Sequence, residues 1–191
     1  MIRCYITDRK QMGGIEPLID RVARHLEAGV DYLQVREKDL SGRELLALAR
    51  RITDLPNPKG TRVLINSRVD IALAAGAHGV HLPADSPPVS ELRRIVPEGF
   101  VIGVSCHTLS ELEAAQREGA DFAVYGPIHA PRSKTIHGAP LGVEALALAC
   151  RRVRLPVLAL GGITAESIPS LREAGAAGFA AISLFQAQEV E

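Results

Sequence analysis

Four times along this chain a helical pattern passes through a glycine into an apolar run: Glu27-Ala28-Gly29-Val30-Asp31, Ala74-Ala75-Gly76-Ala77-His78, Arg117-Glu118-Gly119-Ala120-Asp121 and Glu173-Ala174-Gly175-Ala176-Ala177. Glycine lacks the Cβ that clashes in the left-handed conformation, so each is suited to end a helix and turn the chain into a strand. The runs that follow, Tyr32 to Val35, Gly79 to Leu82, Phe122 to Tyr125 and Gly178 to Ile182, read as strands. Between them, Ile2 to Ile6, Val63 to Ile65, Val101 to Val104 and Val157 to Leu160 begin after polar or proline-bearing connections. Interleaving the two sets predicts eight strands, separated by helical stripes such as Leu18, Val22, Leu26 and Leu45, Leu46, Ala49, Ile52. Regular βα alternation implies a parallel sheet, and a two-unit module repeated four times favours a closed (β/α)8 TIM barrel. A doubly wound open sheet would need a reversal of strand order and gives no reason for a repeat. Only Ser183 to Glu191 follow the eighth strand, so the final helix is expected to be abbreviated or absent. The surface beside strands eight and one is then either bare or covered by another subunit, which makes a homo-oligomer one expectation.

At 191 residues and 47% apolar content, the chain predicts one domain spanning residues 1–191. Lysine plus arginine total 22 and aspartate plus glutamate total 22, so no global field draws the protein to nucleic acid or a membrane surface. Small-molecule partners follow. Cys4, Cys106 and Cys150 lie scattered in apolar runs, without the spacing of a zinc site, and read as reduced, buried thiols. Neither a signal sequence nor a bilayer-length apolar run is evident, which predicts a cytoplasmic protein.

In such a barrel the carboxyl ends of the strands and their following loops form the active face. Strand two ends in Gln34-Val35-Arg36-Glu37-Lys38, and alternation sends Gln34, Arg36 and Lys38 to one side, while Glu37 reads as a solvated loop charge. An arginine inside a strand needs a carboxylate or an anionic ligand, and an anion is the expectation for Arg36. Asn66, after strand three, either meets a heterocycle or caps the helix beginning near Val69. Ser105, after strand five, binds ligand or caps, and His107 either relays protons or bonds to backbone. The glycine-bounded loop from Gly126 to Gly138 holds His129, Arg132, Ser133, Lys134 and His137, a basic set suited to phosphate. Gly161-Gly162 after strand seven exposes backbone N–H groups at the habitual phosphate site of these barrels, beside Ser183 after strand eight.

These segments, together with Tyr5-Ile6-Thr7-Asp8, Asn66-Ser67-Arg68-Val69-Asp70, Gly79-Val80-His81-Leu82, Gly103-Val104-Ser105 and Gly126-Pro127-Ile128, resemble the thiamin phosphate synthase and TenI superfamily over nearly the whole chain. The resemblance implies a TIM barrel of thiamin biosynthesis with hydroxyethylthiazole phosphate as ligand. In the synthases it implies magnesium held by two aspartates, in an Asn-Asp pair after strand three and a Gly-Gln-x-Asp run after strand four. Here those places hold Asn66-Ser67 and Pro83-Ala84-Asp85-Ser86. The chain is therefore placed nearer the TenI branch, as a thiazole phosphate tautomerase with no metal and no cofactor. Phosphate would sit on Gly161, Gly162, Ile182 and Ser183, and Gln34, Arg36, Lys38, Asn66, Ser105, Ser133 and Lys134 would contact the substrate. His129 or His107 would move protons, since the tautomerase histidine position is Pro127 here. The alternatives are a magnesium-dependent synthase and a non-catalytic binding barrel.

Overall fold

The strands are β1 (Ile2–Ile6), β2 (Tyr32–Val35), β3 (Arg62–Asn66), β4 (Gly79–Leu82), β5 (Val101–Cys106), β6 (Phe122–Tyr125), β7 (Val157–Leu160) and β8 (Gly178–Ala181). Each pairs in parallel with its neighbours in the chain. β8 returns to β1, with Ile2 opposite Gly178 and Tyr5 opposite Ala181, so the sheet is a closed barrel. The helices are α1 (Arg9–Met12), α2 (Ile15–Ala28), α3 (Gly42–Thr53), α4 (Val69–Ala74), α5 (Val89–Arg93), α6 (Leu109–Glu118), α7 (Gly142–Arg152), α8 (Ile168–Glu173) and α9 (Ser183–Ala187). This architecture comes from a computed structural model that describes residues 1–130 and 139–187. Ser133 and Lys134 lie outside the described residues.

All four joint glycines, Gly29, Gly76, Gly119 and Gly175, have positive φ, as the sharp helix-to-strand turn requires. Side chains alternate across the barrel wall. Leu33, Val35, Val63, Ile65, Val80 and Ile102 face outward onto the helices, where Leu18, Val22 and Leu26 of α2 meet them as expected. On α3 the buried stripe is Leu45, Leu48, Ala49 and Ile52; Leu46 is only partly buried, because the 3.6-residue repeat carries Leu48 rather than Leu46 to the inner face. Cys4, Ile6, Leu64, Val101, Phe122, Val124, Leu158 and Ala180 point inward and fill the lumen. Phe122 is the large plug. It stacks on Tyr32 with ring centroids 4.8 Å apart, and a Cβ on Gly103 would run into its ring. Burial pushes the thiols of Cys4 and Cys106 up to about 12, so both remain protonated and inert.

The seam between β8 and β1 is covered within the chain. The short α9 seats Phe185, 6% exposed, against Tyr5, His25 of α2 and Phe179 of β8, with ring centroids 5.4, 5.4 and 6.0 Å away. His25 Nε2 lies 2.9 Å from the Phe185 carbonyl. Gln186 accepts the Asp8 N–H at 2.9 Å and donates to the Asp8 carbonyl at 3.0 Å, tying α9 to the loop after β1. The abbreviated final helix thus occupies the surface that the sequence left open. No helix among the described residues is long and apolar enough to cross a membrane. Phe185→Ala should destabilise the barrel by about 3 kcal/mol, the usual cost of emptying a buried aromatic site. Urea unfolding should show this as a lowered midpoint with an unchanged slope; a midpoint that does not move would mean α9 does not seal the seam.

Candidate active site

Strand alternation carries four polar side chains to the lumen at the carboxyl end: Gln34 from β2, Asn66 from β3, His81 from β4 and Ser105 from β5. The register sets Asn66 beside His81 and His81 beside Gly103, so neighbouring strands deliver their polar groups to one level. They form a continuous chain of hydrogen bonds. Ser105 Oγ lies 3.2 Å from His81 Nε2, and His81 Nδ1 lies 2.6 Å from Gln34 Oε1. Gln34 Nε2 donates to Asn66 Oδ1 at 2.9 Å, and Asn66 Nδ2 donates to Ser67 Oγ at 2.9 Å. Below them lies the Phe122 ring, its centroid 5.9 Å from that of His81. The site is a polar layer on an apolar floor.

His81 is 4% exposed. Its burial, with the Arg36 charge adding to it, pushes its pKa down to about 4, and the nearby Val104 carbonyl opposes this without reversing it. The ring is therefore neutral at pH 7. Sequence reasoning assigned His81 no role beyond its place in a family motif, although an imidazole at an inward strand position was the available signal.

Arg36 stands half-buried where β2 ends, and its guanidinium forms no hydrogen bond or ion pair with any described residue. Its backbone is held: Thr7 Oγ1 accepts the Arg36 N–H at 2.9 Å and donates to Glu37 Oε1 at 2.7 Å. Glu37 is 5% exposed and also takes the Arg9 N–H at 3.1 Å, so it is a buried anchor rather than a solvated charge. Arg9 continues through a bidentate pair with Asp39 at 2.7 and 2.9 Å, which holds the Asp39 carboxyl well below its usual range. These bonds clamp the loops after β1 and β2 together. A cation whose backbone is held in this way, with no partner among the described residues, suits an anionic ligand.

Lys38 is exposed and lies beyond the end of β2. Regular alternation stops with β2 at Val35, and the Leu40 N–H bonds back to the Glu37 carbonyl at 3.2 Å, so the chain is already turning. Lys38 lines a depression of about 290 Å³ with Leu40, Leu45, Asn66, Ser67 and Arg68, which opens beside the Asn66 end of the polar layer. Asn66 is not a helix cap: α4 starts at Val69 after Arg68, and the Asn66 amide is engaged in the lumen. Nor does Ser105 cap, since Thr108 and Glu111 close the capping box of α6. His107 Nδ1 lies 2.6 Å from the Gly126 carbonyl, the backbone-bonded arrangement that was the alternative to a proton relay.

His129 Nε2 is buried without a hydrogen-bond partner among the described residues, and its backbone N–H donates to the Gly161 carbonyl at 3.1 Å. A Cβ on Gly161 would fall 2.6 Å from Pro127 Cβ, and one on Gly162 would fall 2.7 Å from the Ala130 carbonyl. The paired glycines therefore admit the segment after β6 directly over the end of β7. Among the described residues the N–H groups of Gly161, Gly162, Ile182 and Ser183 form no loop hydrogen bond, and β7 and β8 pair side by side up to Leu160 and Ala180. They are available to an oxyanion.

The magnesium implied for synthases does not fit these residues. Ser67 is uncharged, and its oxygen already accepts from Asn66. Asp85 is exposed in the loop after β4, and no cluster of three or more His, Cys, Asp or Glu occurs among the described residues.

A family model described as thiamine monophosphate synthase matches residues 4–185. The chain is 48% identical over 178 residues to a putative thiamine-phosphate synthase of Geobacter sulfurreducens, covering 93% of this chain and 83% of that one. It is 43% identical over 180 residues to putative thiamine-phosphate synthase 2 of Aquifex aeolicus, covering 94% and 95%. Thiamine phosphate pyrophosphorylase from Pyrococcus furiosus has a similar structure, with TM-score 0.83 and 29% identity over 98% of this chain and 88% of that chain. A 3-hexulose-6-phosphate synthase, with TM-score 0.74 at 17% identity over 100% and 94%, shares the fold alone.

The neutral histidine has a consequence for acid stability. Its folded pKa lies below the unfolded value, so the stability it permits is complete above about pH 6.5 and is lost as the pH falls to about 4, on the order of 3 kcal/mol in all. Burial lowers the pKa of His25 and His78 as well, and both act in the same direction. Urea midpoints at pH 7 and pH 4.5 should differ less in His81→Leu than in the unaltered protein; an identical difference would show that the ring is not buried neutral.

Proposed function

Given that the chain belongs to the thiamine monophosphate synthase family, we propose that it joins hydroxymethylpyrimidine diphosphate to hydroxyethylthiazole phosphate in the cup at the carboxyl ends of its strands, releasing diphosphate. The observation that carries this reading is Arg36, a positioned cation with no partner among the described residues, beside the layer made by Gln34, Asn66, His81 and Ser105. The bond between the pyrimidine methylene carbon and the diphosphate oxygen breaks, and its electron pair leaves with diphosphate. The thiazole nitrogen then gives its lone pair to the cationic carbon. Arg36 offsets the charge that builds on the departing oxygen, where a fixed cation is worth more than in water. Gln34, Asn66 and Ser105 orient the heterocycle, and Gly161, Gly162, Ile182 and Ser183 offer backbone N–H groups to the thiazole phosphate. The apolar floor around Phe122 keeps water from capturing the cation. Lys38, Ser133 and Lys134 are retained as ligand contacts in this reading. No step is assigned to a metal, because the residues at Ser67 and Asp85 do not suit one.

A second reading, the thiazole phosphate tautomerase, is favoured by those same positions, since moving protons around a ring needs an acid/base and a phosphate grip but no carboxylate pair. His129 and His107 are its candidates, and the backbone bond of His107 leaves His129 the better placed.

Incubating the purified protein with both substrates, with magnesium and with a chelator, should yield thiamin phosphate, read by fluorescence after oxidation. Arg36→Ala should lower kcat/KM roughly a hundredfold, the effect of losing one charge-assisted contact of about 3 kcal/mol. Isomerisation of thiazole phosphate without coupling would transfer the assignment to the second reading. Binding with neither activity would leave a non-catalytic barrel.

A further inference from the structure

The bonds across the lumen all run the same way. A neutral imidazole carries one ring proton. With the Gln34 carbonyl oxygen 2.6 Å from His81 Nδ1, the contact fits a proton on Nδ1, which leaves Nε2 with a lone pair to accept from the Ser105 hydroxyl. The Gln34 amide then donates to Asn66, and the Asn66 amide donates to Ser67. Ser105 has spent its only proton and can offer a ligand only lone pairs. Ser67 has received a bond at oxygen and still holds its proton, so it can donate. Reversing any one of the three inner members alone would set donor against donor or acceptor against acceptor at a neighbouring link, so the direction belongs to the chain as a whole.

We propose that His81 is a positioning residue that gives the two ends of this hydrogen-bonded chain opposite polarity: Ser105 accepts from an N–H of the heterocycle, and Ser67 donates to an anionic oxygen of the same ligand. This deepens the synthase reading and rests on it. It also gives a role to the hydroxyl that replaces a carboxylate after β3: at that point the site favours an oxyanion rather than a cation. The ligand is thereby oriented across the mouth, with its amino edge toward β5 and its phosphorylated end toward β3, where Arg36 of the adjacent β2 loop lies on the same side. His81 touches no reacting atom in this scheme. Its effect passes through Ser105 and Gln34.

The test has two arms. In protein labelled with nitrogen-15 histidine, long-range proton–nitrogen correlation at pH 7 should show His81 with a protonated Nδ1 and a bare Nε2, assigned by loss of the signal in His81→Gln. The opposite tautomer overturns the proposal. In the second arm, calorimetry compares hydroxymethylpyrimidine diphosphate, which carries a ring amino group, with its oxo counterpart. The unaltered protein should favour the amino form by about tenfold, the effect of one misplaced hydrogen bond. His81→Phe frees the Ser105 proton and should bring the ratio close to one, and His81→Gln, whose amide oxygen can accept from Ser105, should restore part of it. Should either His81 variant fail to fold, Ser105→Ala should abolish the same preference. Ser67→Ala should weaken both diphosphates about tenfold and leave their ratio unchanged. An unaltered protein that does not distinguish the two forms, or that binds neither, overturns the proposal. Correct tautomer and preference without thiamin phosphate formation would remove the synthase reading and leave this one standing.

Discussion

Closure of β8 onto β1 is the pairing on which the remaining structure depends. An open sheet would have no lumen, and the polar ends of β2 to β5 would face solvent instead of one another. Among the described residues the helix that covers this closure, α9, is only five residues long. Phe185 compensates by packing on rings from both sides of the seam, and Gln186 ties that packing to the loop after β1. The same loop carries Thr7 and Arg9, which hold Glu37 and thereby the backbone of Arg36. A seal on the outer wall is thus mechanically continuous with the cation at the mouth.

Within the lumen, size and polarity are graded along the barrel axis. Phe122 fills the middle because β5 offers Gly103 in place of a side chain, and Tyr32 stacks against the same ring. Above this floor the polar layer survives burial because its members bond to one another. An isolated buried amide or imidazole would be costly, and a mutually satisfied set is not. Neutrality of His81 follows from the same burial, and it excludes this ring as a strong base near pH 7. Orientation, rather than proton abstraction, is what such a histidine can contribute.

Family membership and the ligand chemistry of the site pull in different directions. Relatives named as putative synthases match over most of their length, and Gln34 and Arg36 stand at the mouth of the barrel. Where the resemblance implies a magnesium carboxylate after β3, this chain has Ser67, whose oxygen accepts from the Asn66 amide. A barrel tolerates such exchange because loops and strand ends change without disturbing the wall. The electrostatics of the mouth can therefore change while the fold does not.

Local chemistry was legible in the linear chain wherever a single residue has only one good use. The joint glycines marked the helix ends because only glycine turns there without strain, and the apolar runs between them marked all eight strands to within a residue or two. Arg36 was legible for a similar reason: a charge at the end of a buried strand needs a partner. What failed were inferences that depend on who stands opposite. Glu37 reads as a solvated charge in the linear chain because its partners Thr7 and Arg9 are some thirty residues away, and His81 gains meaning only beside Gln34 and Ser105. Sequence alone determined the repeat, the barrel and the end at which chemistry gathers, because these follow from local conformational preference repeated along the chain. The partners of each polar group were decided only by tertiary structure, because hydrogen bonding is set by which strands become neighbours and in what register.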